Sequence, residues 1–299
     1  MNKVVSVVVT HNRSKLLREC ILALSHSNVS TDIIIIDNAS TDDTKNIVND
    51  LLEENRNIMY FNTQKNIGGS GGFNYGIRKA YEMEYDYFWI MDDDTIVKPD
   101  SLMRLLEIKD SVGNDFGWIS SLALWTDGKE CVMNWHTVDK KWNRDKKGLL
   151  EGRLLCECST FVSLLINRNA VCNCGLPIKD YFIWGDDTEY TMRISQKFPC
   201  YFAFKSQVIH KMKSNEGTVG FEDVEDPSRI ERMFYSIRND FCTFRMQGII
   251  KTLRFIYGMA GIFMRVIRTT KSYRGKKIKI ILKGMWCGLW FHPPIEYIE

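Results

Sequence analysis

Apolar runs of strand length alternate with segments of helical spacing along the first hundred residues. Val4 to Thr10 is a β-branched run that stops at the polar turn His11-Asn12-Arg13. Ser14 to Leu24 then carries apolar residues at Leu16, Leu17, Cys20, Ile21 and Leu24, one face of a helix with Ser14 placed as its N-cap. The unit repeats. Asp32 to Ile36 reads as a strand, Asp37-Asn38-Ala39-Ser40 as a turn, and Thr41 to Leu52 as an amphipathic helix whose first turn is rich in carboxylates, which suit the positive end of a helix dipole. A third strand, Ile58 to Asn62, leads through a glycine-rich loop, Gln64 to Phe73, into a helix from Asn74 to Glu84. The fourth apolar run, Tyr87 to Met91, ends in Asp92, Asp93 and Asp94. Strands alternating with helices predict an α/β fold with a mostly parallel sheet, helices on both faces and right-handed crossovers.

Ligands of such sheets bind at the carboxyl ends of the strands, and each polar signature of this half falls there. The turns deliver Thr10, Asn12 and Arg13, then Asp37 and Asn38, then the glycine loop, then the three aspartates, and the topology draws them to one crevice. Beyond residue 100 the periodicity predicts a helix from Leu102 to Ile108, a strand from Phe116 to Trp125, an irregular polar stretch from Thr126 to Lys147, and a strand from Arg153 to Leu165. A helix from Thr188 to Ser195 and a strand from Cys200 to Ile209, closed by His210, follow.

Charge divides the chain. From Phe241 to Glu299 there are eleven Lys or Arg against Glu296 and Glu299, a local +9, so a net +3 for the whole leaves −6 on residues 1–240. We expect two units: residues 1–240, carrying the crevice, and a helical basic region, 241–299. The second has apolar stretches on either side of a basic one, Arg268 to Lys279, with Trp286 and Trp290 near its end. Neither stretch has the roughly 18–20 apolar residues of a spanning helix, and the pattern suits interfacial helices on an anionic membrane surface better than a nucleic acid partner. A purely structural helical region is the competing reading. The opening apolar run is too short for a secretory leader and reads as the first strand. With nine cysteines, that predicts reduced thiols in a cytoplasmic protein, peripheral on the inner face of the membrane.

Three carboxylates at a strand end raise one another's pKa, and a fold retains them where cations or water neutralise them. Asp-x-Asp there suits a hard divalent ion bound to phosphate oxygens; a solvated acidic turn is the alternative. The glycine loop lacks the Gly-Lys-Ser/Thr of a P-loop, yet its backbone would admit a close ligand ahead of a helix. Asp180 to Arg193 brings Trp184 and Gly185 to Asp186, Asp187 and Glu189, which suit either a helix N-terminus or a general base beside an aromatic platform for a sugar. Two Cys-x-Cys pairs, Cys156 with Cys158 and Cys172 with Cys174, are spaced more tightly than zinc sites usually are and read as buried thiols.

Taken together, Val7 to Arg13, Ile36 to Asp42, Asn66-Ile67-Gly68-Gly69, the aspartate triplet, Trp184 to Glu189, His210 and Tyr235-x-x-Arg238-Asn239 resemble the family 2 inverting glycosyltransferases of the GT-A, Rossmann-like fold. They occur in that family's order from residue 4 to about 240, and the glycine loop looks most like that of galactofuranosyltransferases, with rhamnosyltransferases as the near alternative. The resemblance implies a nucleotide-sugar donor, UDP-galactofuranose before dTDP-rhamnose, and a glycan or lipid-linked glycan acceptor. It implies that Thr10, Asn12, Arg13 and Asp37 hold the uridine, that Asn66, Gly68, Gly69, Asp92 and Asp93 face the donor, and that Asp92, Asp94 and His210 bind Mn²⁺ or Mg²⁺. Asp187 would be the base, with Asp186 and Trp184 on the acceptor side. A sugar nucleotidyltransferase would need a basic, glycine-rich loop after the first strand, which His11-Asn12-Arg13 does not supply. A non-catalytic carbohydrate-binding protein would have no use for a metal site plus a separate carboxylate.

Overall fold

The computed structural model describes residues 3–215 and 220–298. The first half is the expected alternation: β1 (Val4–Thr10), α1 (Ser14–Ser25), β2 (Asp32–Asp37), α2 (Thr44–Glu54), β3 (Ile58–Asn62), α3 (Gly68–Glu82) and β4 (Tyr87–Asp92). A short strand, β5 (Thr95–Val97), and α4 (Ser101–Val112) lead to β6 (Trp118–Leu124) and β7 (Thr137–Val138). Then come α5 (Lys146–Glu151), β8 (Arg153–Cys158), β9 (Leu164–Asn167), α6 (Arg168–Cys174), α7 (Asp186–Ser195) and β10 (Tyr201–His210). Three longer helices close the chain: α8 (Pro227–Met246), α9 (Ile249–Thr269) and α10 (Arg274–Trp290).

The strands form one sheet in the order β3-β2-β1-β4-β9-β6-β10-β8-β7, with β5 paired to β10. The block β3-β2-β1-β4 is wholly parallel; β9 enters antiparallel between β4 and β6, and β10 runs parallel to β6. Helices cover both faces, and alternation along each strand sorts the apolar side chains between them. Val8, Ile33 and Ile35 pack with Leu17 and Ile21 of α1 and Val48 of α2. Val5, Val7, Val9, Ile34 and Ile36 pack with Phe73 and Ile77 of α3. Burial on both faces is why these strands read as continuous apolar runs.

Three sequence expectations are corrected. Ser14 does not cap α1: its backbone N–H is held at 3.1 Å by the Asp42 carboxylate from the neighbouring turn. From Gly68 onward the glycine run is not a loop but the first turns of α3, which lies close on the sheet at two of its glycines; a Cβ on Gly72 would sit 2.5 Å from Cγ1 of Val9, and one on Gly76 2.5 Å from Cγ1 of Val7. The single strand expected from Arg153 to Leu165 is two strands, β8 and β9, which are not neighbours in the sheet. All nine cysteines are free thiols; of the two Cys-x-Cys pairs expected to be buried, Cys156 and Cys174 are buried, Cys158 is half-buried and Cys172 is exposed.

Helix α8 runs through residue 240, so the expected division falls inside an element, while the limits at 1 and 299 lie outside the described residues. Helices α8, α9 and α10 share an apolar core of Ile237, Met259, Val266 and Ile281. After α10 the chain returns to the sheet domain, where the Glu296 carboxylate accepts from Asn74 at 3.0 Å, Arg78 at 3.1 Å and Lys179 at 2.5 Å. Among the described residues no helix is long and apolar enough to cross a membrane.

Candidate active site

The carboxyl ends of β1 and β4 open on a cleft of two compartments that share Arg13, Gly69, Asp92 and Ile183 as walls. The first, about 250 Å³, is lined by Thr10, His11, Asn38, Asn66, Gly68, Asp93 and Phe182 besides the shared walls. The second, about 400 Å³, adds Asp94, His210, Asn134, Trp184, Asp186 and Asp187. The crossover topology thus brings together most of the residues singled out in the sequence. Asn12, Asp37 and Glu189 are exceptions, the Glu189 carboxylate accepting from Arg193 Nε at 2.6 Å on the same helix. Asn12 Oδ1 accepts from the Thr41 backbone at 2.7 Å, stitching the first two turns together. Asp37 is buried, with its carboxylate accepting from Ser40 N–H at 2.8 Å, the Tyr60 hydroxyl at 2.6 Å and Asn62 Nδ2 at 2.9 Å.

Asn38 builds the entrance to the glycine helix. Its Nδ2 donates to Asn66 Oδ1 at 3.2 Å and to the Gly68 carbonyl at 2.9 Å, while its Oδ1 accepts from Ile67 N–H at 2.9 Å. Gly68 has φ +76°, and a Cβ there would lie 2.0 Å from the Phe182 carbonyl oxygen, so this glycine serves packing against the 181–185 turn. Gly69 has nothing within 4 Å of its Cβ position and is the glycine that leaves the cleft wall open.

The three aspartates behave as their crowding demands. Asp92 is driven well above its ordinary pKa, by burial first and then by the charge of Asp94. Burial likewise pushes Asp93 up to about 6, although Arg13 and a 2.7 Å hydrogen bond from Thr10 Oγ1 oppose it. Burial works against Asp94 too, but His210 and Arg13 outweigh it and hold the group below its usual value. Arg13 Nη1 stands 3.2 Å from Asp93 Oδ1 and 2.6 Å from Asp94 Oδ2. Asp94 Oδ1 lies 3.1 Å from Nε2 of His210, with no donor aligned on it. Burial disfavours the His210 imidazolium, yet chiefly Asp94 pushes its pKa up to about 10.

Among the described residues no three His, Cys, Asp or Glu are already gathered as a metal cage. Asp92, Asp94 and His210 line one compartment instead, with Asp94 engaged by protein cations. Their donor chemistry nonetheless fits a hard divalent ion. Two ligands at right angles on an ion with bonds of about 2.1 Å stand about 3 Å apart, the separation of the unpartnered Asp94 oxygen and His210 Nε2. His210 Nδ1 donates to Asn134 Oδ1 at 2.8 Å, and Asn134 Nδ2 donates in turn to Thr160 Oγ1 at 2.8 Å. That chain leaves Nε2 of a neutral ring free to ligate. Sequence reading missed Asn134, which lies in an irregular stretch without periodicity; proximity to the end of β6 was the only signal.

On the far side of the second compartment Asp186 and Asp187 open α7. Burial, then the charge of Asp187, pushes Asp186 up to about 7. Burial also raises Asp187, although its Oδ1 accepts from Thr188 N–H at 2.7 Å. The turn before them is strained. Phe182 has φ 67° and ψ −59°, closing a γ-turn in which Ile183 N–H donates to the Tyr181 carbonyl at 2.8 Å, and Trp184 has φ 64°. Non-glycine residues in such regions cost on the order of 1–3 kcal/mol each and persist where the surroundings over-determine them.

A parallel Rossmann-like block with acidic groups at the ends of its strands, facing a second acidic pair across a cleft, is the architecture of the GT-A glycosyltransferases. The chain belongs to glycosyl transferase family 2, whose pattern matches residues 6–161. It is 22% identical to the galactofuranosyltransferase GlfT1 of Mycolicibacterium smegmatis over 262 residues, 84% of this chain and 85% of that protein. It is 30% identical to a poly-beta-1,6-N-acetyl-D-glucosamine synthase of Staphylococcus aureus over 104 residues, 34% of this chain and 24% of that one. Among solved structures, GalNAc-T7 with UDP, GalNAc and Mn²⁺ superposes with a TM-score of 0.61 at 14% identity, over 90% of this chain and 57% of that one. The mannosyltransferase PcManGT of Pyrobaculum calidifontis, with GDP-Man and Mn²⁺, superposes at 0.55 and 12% identity over 98% and 76% of the two chains.

Proposed function

We propose that this glycosyltransferase is metal-dependent and inverting, and that it moves galactofuranose from UDP-galactofuranose to a glycan or lipid-linked glycan acceptor in cell-surface polysaccharide synthesis. The observation that carries the reading is that one compartment holds Asp92, Asp94 and His210 together with Asp186 and Asp187, and opens through Arg13 and Gly69 into a compartment suited to a nucleotide. Likeness to GlfT1 over most of both chains supports the donor sugar.

Thr10, Arg13, Asn66, Gly68, Gly69 and Asp93 face the nucleotide end, while Asn12 and Asp37 act through the turns they hold. Asp92, Asp94 and His210 are the groups that would hold Mn²⁺ or Mg²⁺, which when bound offsets charge on the diphosphate. Asp187 takes the proton of the acceptor hydroxyl; that oxygen's electron pair forms the bond to the anomeric carbon as the bond to the diphosphate breaks, and the pair leaves on UDP. Attack from the face opposite the leaving group inverts the centre. Asp186 orients the sugar and Trp184 packs on the acceptor.

We assign residues 1–240 to the catalytic unit and 241–299 to a basic helical region that binds the inner face of the cell membrane. Trp286 and Trp290 are about two-thirds exposed on α10, and Ile249, Ile250, Leu253 and Tyr257 are exposed on α9 among basic residues. Apolar anchors with cationic neighbours suit an anionic lipid surface.

The test is UDP or dTDP release from a panel of nucleotide sugars. UDP-galactofuranose should be turned over, turnover should vanish in excess chelator, and Mn²⁺ should restore it. Preferred use of dTDP-rhamnose would overturn the donor, and full activity in chelator would overturn the metal.

A further inference from the structure

The segment Tyr235-x-x-Arg238-Asn239 lies outside the cleft lining, yet it touches the strained turn that carries Trp184. Asn239 is fully buried on α8, and its single Nδ2 stands 3.0 Å from the Tyr181 carbonyl, 3.1 Å from that of Ile183 and 2.8 Å from that of Trp184. An amide nitrogen has two hydrogens, so three converging carbonyls saturate it. Its orientation is set from the other side, where Asn239 Oδ1 accepts from Arg238 Nε at 3.0 Å and Nη2 at 2.8 Å. Arg238 Nη2 also donates to the carbonyls of Asp180 at 2.8 Å and Tyr181 at 3.2 Å, and the guanidinium stacks 3.9 Å from the Phe291 ring centroid.

Between them, two adjacent side chains bind four carbonyls of one short segment, Asp180, Tyr181, Ile183 and Trp184. That segment contains two non-glycine residues with positive φ, Phe182 and Trp184, and runs straight into Asp186 and Asp187 at the start of α7. On its other side the Phe182 carbonyl accepts from Ser70 N–H of the glycine helix at 3.3 Å. Carbonyls pointing the same way repel one another and stay so aligned only where donors hold them.

We propose that Arg238 and Asn239 are positioning residues that clamp the 180–185 turn and thereby hold Trp184 and Asp187 in register with the donor. The inference rests on the acceptor-side reading of Trp184 and Asp187 given above. Neither residue touches the reacting atoms. They act on the transfer step by fixing where the base and the aromatic platform stand, and misplacement of about 1 Å is enough to cost about a hundredfold in rate.

The test compares wild type with Asn239→Ala and Arg238→Lys, the second keeping the charge while losing the fork of donors. Hydrogen exchange should accelerate about tenfold in peptides covering 181–187 and stay unchanged in those covering β1 to β4. Binding of UDP with Mn²⁺ should remain within about threefold of wild type, while kcat for transfer from UDP-galactofuranose to octyl galactofuranoside falls about a hundredfold for Asn239→Ala and less for Arg238→Lys. Should Asn239→Ala fail to fold, Arg238→Lys carries the test. Unchanged exchange in 181–187, or parallel loss of UDP affinity and turnover, would overturn the clamp. If wild type does not use UDP-galactofuranose, the donor assignment fails instead, and exchange with UDP binding still decides the clamp.

Discussion

Asp186→Asn keeps the shape of a buried side chain and removes its charge. In the folded protein burial, and then Asp187, pushes the Asp186 carboxyl from an ordinary 3.8 up to about 7. The folded state therefore holds a proton that the unfolded chain has already released between those values, and stability falls as pH rises from about 4 to about 7. At 1.36 kcal/mol per unit the full displacement corresponds to about 4 kcal/mol above pH 7, an upper bound because water in the open cleft softens it. The variant escapes that cost. Urea unfolding should show Asp186→Asn matching wild type near pH 4 and exceeding it by about 2–4 kcal/mol at pH 8, while transfer activity drops because the acceptor loses an orienting group. Equal stability of the two proteins at pH 8, or a gap that does not change between pH 4 and pH 8, would refute the buried-charge argument.

Asp187→Asn should lower turnover by about a hundredfold to ten-thousandfold in a UDP-release assay while leaving UDP affinity nearly unchanged, and a variant with wild-type turnover would exclude this group as the base. Because burial raises the Asp187 pKa and the base acts only when ionised, the acid limb of the wild-type pH–rate profile should lie above the ordinary aspartate value of 3.8; a limb at or below that value would count against the assignment. Gly68→Ala, with φ +76° and its new Cβ 2.0 Å from the Phe182 oxygen, should destabilise by about 3 kcal/mol in urea unfolding, whereas Gly69→Ala should cost under about 1 kcal/mol. Replacing Trp286 and Trp290 together by Ser should weaken sedimentation with phosphatidylglycerol vesicles, and high salt should weaken it for wild type; equal binding throughout would remove the membrane role.

Much of the architecture was legible because it is local. β-Branched and apolar runs bounded by polar turns placed β1 to β4 within a residue or two, and the rule that parallel sheets bind ligands at their carboxyl ends placed Thr10, Arg13 and Asp92 to Asp94 around one cleft, although the same rule also placed Asn12 and Asp37 there, which the fold uses to hold turns instead. Asp186 and Asp187 were legible as an acidic helix start. What local pattern could not supply depends on distant contacts. Glycine disfavours helix, so Gly68 to Gly72 read as a loop; in the fold they open α3, where Gly68 packs against the Phe182 carbonyl and Gly72 against Val9 of β1 with no room for a side chain at either position. The alternation through Arg153 to Leu165 does not reveal that β9 leaves β8 to pair with β4 and β6. Nor does periodicity link Asn134 to His210, 76 residues away, or Asn239 to Trp184, 55 residues away. Composition and period determine which segments become strands and helices. Which polar side chain meets which buried carbonyl or imidazole is decided only when the sheet order and the helices are assembled, because those hydrogen bonds are short-ranged and their partners are far apart in the chain.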